Sequence, residues 1–67
     1  MIVYVNNEPH ELRVAATLQD VLTDCGVSPA RGLAIAVNNR VVSRSGWEAH
    51  VLKAGDRVAL LRASKGG

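Results

Sequence analysis

Apolar residues fall in short runs and alternations along this chain, and their spacing predicts one helix and four to five strands. Residues 1–5, which include Ile2, Val3, Tyr4 and Val5, are β-branched and aromatic and read as a strand. Asn6, Asn7, Glu8 and Pro9 follow as a turn, since Asn tolerates left-handed backbone and Pro cannot continue a central ladder. Residues 10–14 alternate polar and apolar, which predicts a second strand with one wet face. The two strands make a hairpin.

The pattern then changes period. Leu18, Val21, Leu22 and Cys25 recur at helical spacing and form one apolar stripe, while Gln19, Asp20, Thr23 and Asp24 face the other way. Thr17 fits the N-cap, because its hydroxyl can accept a free N–H of the first turn. Asp20 lies near the positive end of the helix dipole. Gly26 stands where a left-handed residue ends a helix, and Pro29 discourages its resumption.

Residues 32–37 alternate large and small apolar side chains and predict a third strand, with a tight turn at Asn38, Asn39 and Arg40 and a short fourth strand at Val41 and Val42. Residues 43–50 read as irregular or as a single helical turn, with Trp47 as the one large apolar residue. A turn at 53–56 leads into the last strand, 57–62. One helix stripe covers one face of one sheet. A hairpin, a crossover helix and further strands around it make an α+β fold of the β-grasp kind, a mixed sheet wrapped on one helix, with the first and last strands side by side at its centre. The expected division is a β-grasp domain over residues 1–62 and a flexible tail over 63–67, which lacks apolar periodicity.

Composition narrows the function. A chain of 67 residues holds one domain with a small core, and a catalytic cleft with its own walls does not fit easily. At 48% hydrophobic it is too apolar for disorder, yet no run approaches the ~20 apolar residues of a membrane span. No signal peptide is evident, and the single cysteine rules out an internal disulfide framework, so the expected location is the cytoplasm. The net charge of +2 suits an acidic protein partner as well as a nucleic acid.

The catalytic inventory is thin, and the chain is not expected to be an enzyme. Cys25 lies near the C-terminal end of its helix, where the dipole raises a thiol pKa, and reads as a small buried hydrophobe. His10 and His50 are far apart and neither belongs to a ligand-spaced cluster, so no metal and no cofactor are expected. Trp47 reads as a core or loop anchor. The basic residues are scattered, and only Tyr4 and Trp47 are available to stack on bases, so no nucleic-acid partner is expected. Gly66 and Gly67 stand apart. Two residues without Cβ make a slim end that threads a channel any side chain would block, and an α-carboxylate is ionised at neutral pH.

The stretch from Ala36 to Trp47, the stretch from Val51 to Val58 and the final Gly66-Gly67 together resemble the ThiS family, the sulfur carriers of the thiamin pathway. The marks are an Ala-Val-Asn turn at 36–38, Val41-Val42 with Arg44, Trp47, the Gly55-Asp56 turn into the last strand and the diglycine end. Ser43 departs from the pattern, where members often carry Pro. The resemblance implies a ubiquitin-like β-grasp fold and a covalent role. A ubiquitin-activating-type enzyme would adenylate the Gly67 carboxylate, with Gly66 as the clearance residue beside it. Sulfur from a cysteine desulfurase or persulfide relay would then give a thiocarboxylate, and thiazole synthase would accept that sulfur. Arg57, Arg62 and Lys65, which flank the tail, are the expected partner-binding residues. A diglycine carrier of another pathway (molybdopterin, cysteine or a thio-natural product) and a ubiquitin-like binding module remain as alternatives.

Overall fold

The computed structural model describes residues 1–28 and 32–62. Its elements are β1 (Ile2–Val5), β2 (Glu8–Glu11), α1 (Leu18–Cys25), β3 (Leu33–Val37), β4 (Arg40–Val42), a 3-10 turn (Arg44–Gly46) and β5 (Arg57–Arg62). They form one five-stranded mixed sheet in the order β2-β1-β5-β3-β4. β1 and β5 run parallel at the centre, with Tyr4 opposite Arg57 and Val5 opposite Val58. β3 runs antiparallel to β5 from Leu33 opposite Arg62 to Val37 opposite Val58. The expected α+β β-grasp arrangement, with its first and last strands adjacent, is the one observed.

The helix follows its sequence signals. Thr17 is the N-cap and forms a capping box with Asp20, while Gly26 ends the helix in the left-handed conformation at φ 69°. The free amides of the first turn are all accounted for. Leu18 N–H donates to the His50 carbonyl at 3.2 Å and Gln19 N–H to the Trp47 carbonyl at 3.3 Å. Asp20 N–H donates to Thr17 Oγ1 at 3.3 Å. The segment after β4 is thereby fastened to the start of the helix, and Leu52 N–H adds a bond to the Ala16 carbonyl at 2.8 Å.

β1 and β3 each begin one residue later than the sequence reading has them, and β2 and β4 differ more instructively. β2 begins at Glu8 and ends at Glu11 instead of covering 10–14. Asn6 and Asn7 both adopt positive φ, 50° and 71°, and so close a two-residue hairpin loop with the twist its flanking strands require. Glu8 and Pro9 therefore join the ladder at once, and Pro9 is tolerated because β2 is an edge strand. Beyond Leu12 the chain turns away: Ala15 has φ 68°, and Val14 is 79% exposed instead of lying on a strand. At the second hairpin Asn38 and Asn39 repeat the geometry, at φ 52° and 70°, so Arg40 belongs to β4 and not to the turn.

The core lies between the helix and one face of the sheet. Leu18, Val21 and Leu22 pack with Val3, Val5, Leu12, Ile35, Val37 and Val58, and Leu60 lies against their edge. Trp47 and Leu52 complete the cluster from the loop side. Trp47 is an anchor, as its solitary size suggests: its indole N–H donates to the Val42 carbonyl at 2.9 Å, and Arg44 lies over the ring at 5.6 Å.

Leu22 is fully buried at the middle of this cluster. Leu22→Ala should cost about 2–5 kcal/mol of unfolding free energy, a large share of what so small a domain possesses. Denaturant melts check it, and a change under about 0.5 kcal/mol would place Leu22 outside the core.

Asp20 gives a second expectation, about acid. Its carboxylate accepts from Thr17 N–H at 2.8 Å and from Arg13 at 2.8 Å. The Thr17 backbone bond, aided by the Arg13 charge, holds its pKa below the ordinary aspartate value. The folded state thus favours the charged form. That contribution is complete above the unfolded value of about 3.9 and drains away as pH falls through the lower folded value. Asp20→Asn should lower stability at neutral pH, and its deficit against the parent should shrink in acid. Melts at neutral and acid pH test this; a deficit constant across the range would contradict it.

Candidate docking face and carrier tail

A sheet covered on one face normally alternates apolar and polar residues. β1 and β5 do not alternate in this way. On β1, Val3 and Val5 are buried toward the helix, while Ile2 and Tyr4 point the opposite way and are 38% and 39% exposed. On β5, Val58 and Leu60 face the helix, and Arg57, Ala59 and Leu61 face outward. The ladder pairs Ala59 with Ala36 and Leu61 with Ala34. It also pairs Val41 with Ala36, across β3 and β4. Tyr4, Leu61 and Val41 therefore border a shallow floor of alanines on a face that no described element of the fold covers, and Ile2 lies on the same face further along β1, beside the Gly55 turn. Leu61 is 53% exposed and Val41 74%.

Sequence reasoning points to the sheet face and edge near the last strand, with Arg57, Arg62 and Lys65 steering, but does not single out these apolar residues. The signal was present in strands apolar on both sides of a chain with a single helix to cover them.

The expected basic residues are distributed differently. Arg57 opens β5 and Arg62 closes it, and both are exposed. They are five positions apart, which puts them on opposite faces of the sheet and about 17 Å apart along the strand. Arg57 shares the open face with Tyr4, its partner in the ladder. It also borders a polar hollow of about 330 Å³ between the two Asn-Asn turns, lined by Tyr4, Asn6, Asn38 and Ala59. Arg62 is paired with Leu33 and lies on the helix side. Lys65, Gly66 and Gly67 lie outside the described residues, as does the whole expected tail, 63–67.

β5, the strand that precedes residues 63–67, is held firmly. Its amides are satisfied even where the neighbouring strands have turned away. Arg57 N–H donates to Asn38 Oδ1 at 3.0 Å, and Leu60 N–H donates to Asn6 Oδ1 at 3.0 Å. Asp56 fixes the preceding turn by accepting from Lys53 N–H at 2.9 Å and from Asn38 Nδ2 at 3.1 Å. The same asparagines that close the hairpins thus clamp β5 from both sides.

Cys25 sits at the last turn of the helix, partly buried. Burial pushes its thiol pKa up, and the Asp24 carboxylate adds to the effect. It is a poor nucleophile in this setting. Among the described residues, no helix is long and apolar enough to cross a membrane.

Comparison with known proteins agrees with this arrangement. A thiazole synthase of Magnetococcus marinus is 33% identical over the 67 residues, but the chain spans only 20% of that relative's length. The sulfur carrier protein ThiS of Escherichia coli is 27% identical, and the match covers all of both chains. The crystal structure of the thiamine biosynthesis protein ThiS from Geobacter metallireducens superposes with a TM-score of 0.83 at 26% identity, covering all of both chains. The solution structure of a thiamine biosynthesis protein from the same organism gives 0.75 at 28% identity, over all of this chain and 88% of that one. The sequence pattern that defines the ThiS family matches residues 3–67, from the first core valine through both final glycines, and the chain belongs to that family.

Proposed function

We propose that Gly67 carries the reactive group of this protein and that the open sheet face presents it to partner enzymes. As a ThiS-family member the chain is a sulfur carrier of thiamine biosynthesis and not a catalyst. The observation that supports the Gly67 assignment most directly is the family match, which runs through Gly66 and Gly67.

The chemistry follows from the carboxylate. It is a poor acyl donor because oxide and hydroxide are poor leaving groups. A ubiquitin-activating-type partner uses ATP to convert the Gly67 carboxylate to an acyl-adenylate and releases pyrophosphate. The outer sulfur of a persulfide, from a cysteine desulfurase or a persulfide relay, then displaces AMP to give an acyl disulfide, and a thiol cleaves that disulfide reductively, which leaves the thiocarboxylate on Gly67 and a disulfide on the donor. Thiazole synthase accepts that sulfur, a choice supported by the likeness to one fifth of the Magnetococcus enzyme. The carrier contributes a grip and a slim end, and the partners contribute the catalysis in the cytoplasm. The five residues after Arg62 reach at most ~17 Å when extended, enough to enter a partner's active site from a docked domain. Gly66 keeps the passage free of side chains.

Docking uses Ile2, Tyr4, Val41 and Leu61 as the apolar contact, with Arg57 steering from the same face. Arg62, on the helix side of β5, acts beside the tail and not within that patch, and Lys65 acts as a residue of the tail itself. Leu61→Asp should leave the melting transition near the parent's, because the side chain is already half in water, and should weaken association with the adenylating enzyme at least about tenfold. Arg57→Glu should slow association at low salt, and the difference should fade as salt rises. Unchanged binding by Leu61→Asp would remove the open face from the interface.

The covalent step is read by mass spectrometry after incubation with the adenylating enzyme, ATP and a sulfur source. The expected product gains one oxygen-to-sulfur exchange on the C-terminal peptide, only when ATP is present. Deleting Gly67 should abolish it without unfolding the domain, and Gly66→Val should impair it sterically. Sulfur found on Cys25 instead, independent of ATP, would overturn the carrier mechanism.

A further inference from the structure

His10, Asp24 and Cys25 are scattered in the sequence but meet in the fold. His10 pairs with Val3 on the edge of the sheet, and Val3 is buried toward the helix, so His10 points to the helix side. There it reaches the last turn of α1. Its Nδ1 is 3.7 Å from Asp24 Oδ2, and the imidazole nitrogen, the carboxylate oxygen and the Cys25 sulfur all lie within 4.8 Å of one another. We propose that these three residues bind a thiophilic divalent cation, Zn²⁺ by their chemistry, clamping the edge strand β2 to the end of the helix.

Four physical features support the site. The donor set is one imidazole, one thiol and one carboxylate, which selects Zn²⁺ and its neighbours over the hard cations Mg²⁺ and Ca²⁺. Three protein ligands leave the fourth tetrahedral position to water. Bonds of about 2.0–2.3 Å set tetrahedral donors roughly 3.3–3.8 Å apart, so the cluster closes by about 1 Å. That is within reach, because the His10 and Asp24 side chains are 30% and 48% exposed and Asp24 is free to change rotamer. Finally, the carbonyl end of a helix carries partial negative charge, and the last turn of α1 contains no basic residue to offset it. A cation there answers the dipole and the carboxylate together. The thiol proton leaves to the buffer as the sulfur–metal bond forms.

The site lies on the helix side of the sheet, opposite the open face proposed for docking. Its absence from sequence reasoning has a simple cause. His10 lies on an edge strand, and the crossover to the helix separates it from its partners by 14 and 15 positions, which matches no short-range ligand spacing.

The test uses the whole reduced protein, stripped of metal by a chelator and titrated with Co²⁺ alone as the spectroscopic probe. A saturable signal at one metal per chain is expected. It should show a near-ultraviolet thiolate-to-cobalt charge-transfer band and strong tetrahedral visible bands, and Zn²⁺ should displace both. Cys25→Ser should remove the charge-transfer band, and His10→Ala and Asp24→Asn should each weaken Co²⁺ binding at least about tenfold. His50→Ala should bind as the parent does. Circular dichroism of each variant verifies that the fold is retained. A charge-transfer band that survives Cys25→Ser would overturn the site, as would its absence at a hundredfold excess of Co²⁺. So would a stoichiometry of one metal per two chains. Binding unaffected by both His10→Ala and Asp24→Asn would reduce the cluster to a thiol and refute the three-ligand site.

Discussion

One short helix has to cover a five-stranded sheet, and most of the structure answers that constraint. Eight helical residues extend about 12 Å, whereas five strands span roughly 19 Å across the hydrogen-bonding direction. The helix stripe of Leu18, Val21 and Leu22 therefore covers only part of one face. The remainder falls to Trp47 and Leu52, delivered by the loop after β4. That loop is fixed by the helix itself, because the first amides of α1 donate to the Trp47 and His50 carbonyls. Helix capping and core completion are thus one interaction seen from two sides. No secondary structure is left among the described residues to cover the opposite face.

β5 is the second dependency. It lies between β1 and β3 and carries both central ladders. Its length exceeds that of β1, so at Leu60 the neighbouring strand has already turned off, and the Asn6 side chain supplies the missing acceptor. Asn38 does the same at Arg57 from the other side. An asparagine is well suited to both tasks, since it tolerates the left-handed backbone of a two-residue hairpin and offers an amide for the adjoining strand. The strand that precedes residues 63–67 is consequently bonded on both edges, by its ladders and by asparagine side chains.

These features explain what the sequence disclosed. The helix was legible to the residue, from Thr17 to Gly26, because cap, stripe and terminator are all local signals. β5 was legible for the same reason, bounded by the Gly55-Asp56 turn. β2 was misplaced because Pro9 reads as a strand breaker when its place at the sheet edge is unknown. The docking reading takes Arg57, Arg62 and Lys65 together on the sheet face near the last strand, yet pleat alternation puts Arg57 and Arg62 on opposite faces. Proximity along a chain said little about proximity on a surface. The apolar open face was readable in principle, as two strands with apolar residues at both parities. The meeting of His10 with Asp24 and Cys25 was not, because it depends on the register of β2 against β1 and on where the helix ends.

Exposed apolar area and missing catalytic groups have a common rationale in a carrier. A domain of this size cannot build a walled cleft, and the one histidine–carboxylate pair among the described residues, His10 with Asp24, sits at the end of the helix and not in a cleft. Reactivity on a terminal carboxylate, as proposed for Gly67, needs no cleft, only a domain that docks reproducibly so that a short tail reaches the same point in each partner. Full burial of a large apolar side chain is worth about 1.5–3 kcal/mol, so completing the half-finished burial of Leu61, Tyr4 and Ile2 at an interface contributes on the order of 1 kcal/mol each. Such a sum favours contact that is specific but reversible, once the orientational cost of association is subtracted. A carrier that, on the proposed function, leaves one partner enzyme before it meets the next requires that balance. A fully apolar face would hold the first partner too long, and a fully polar one would fail to orient the tail.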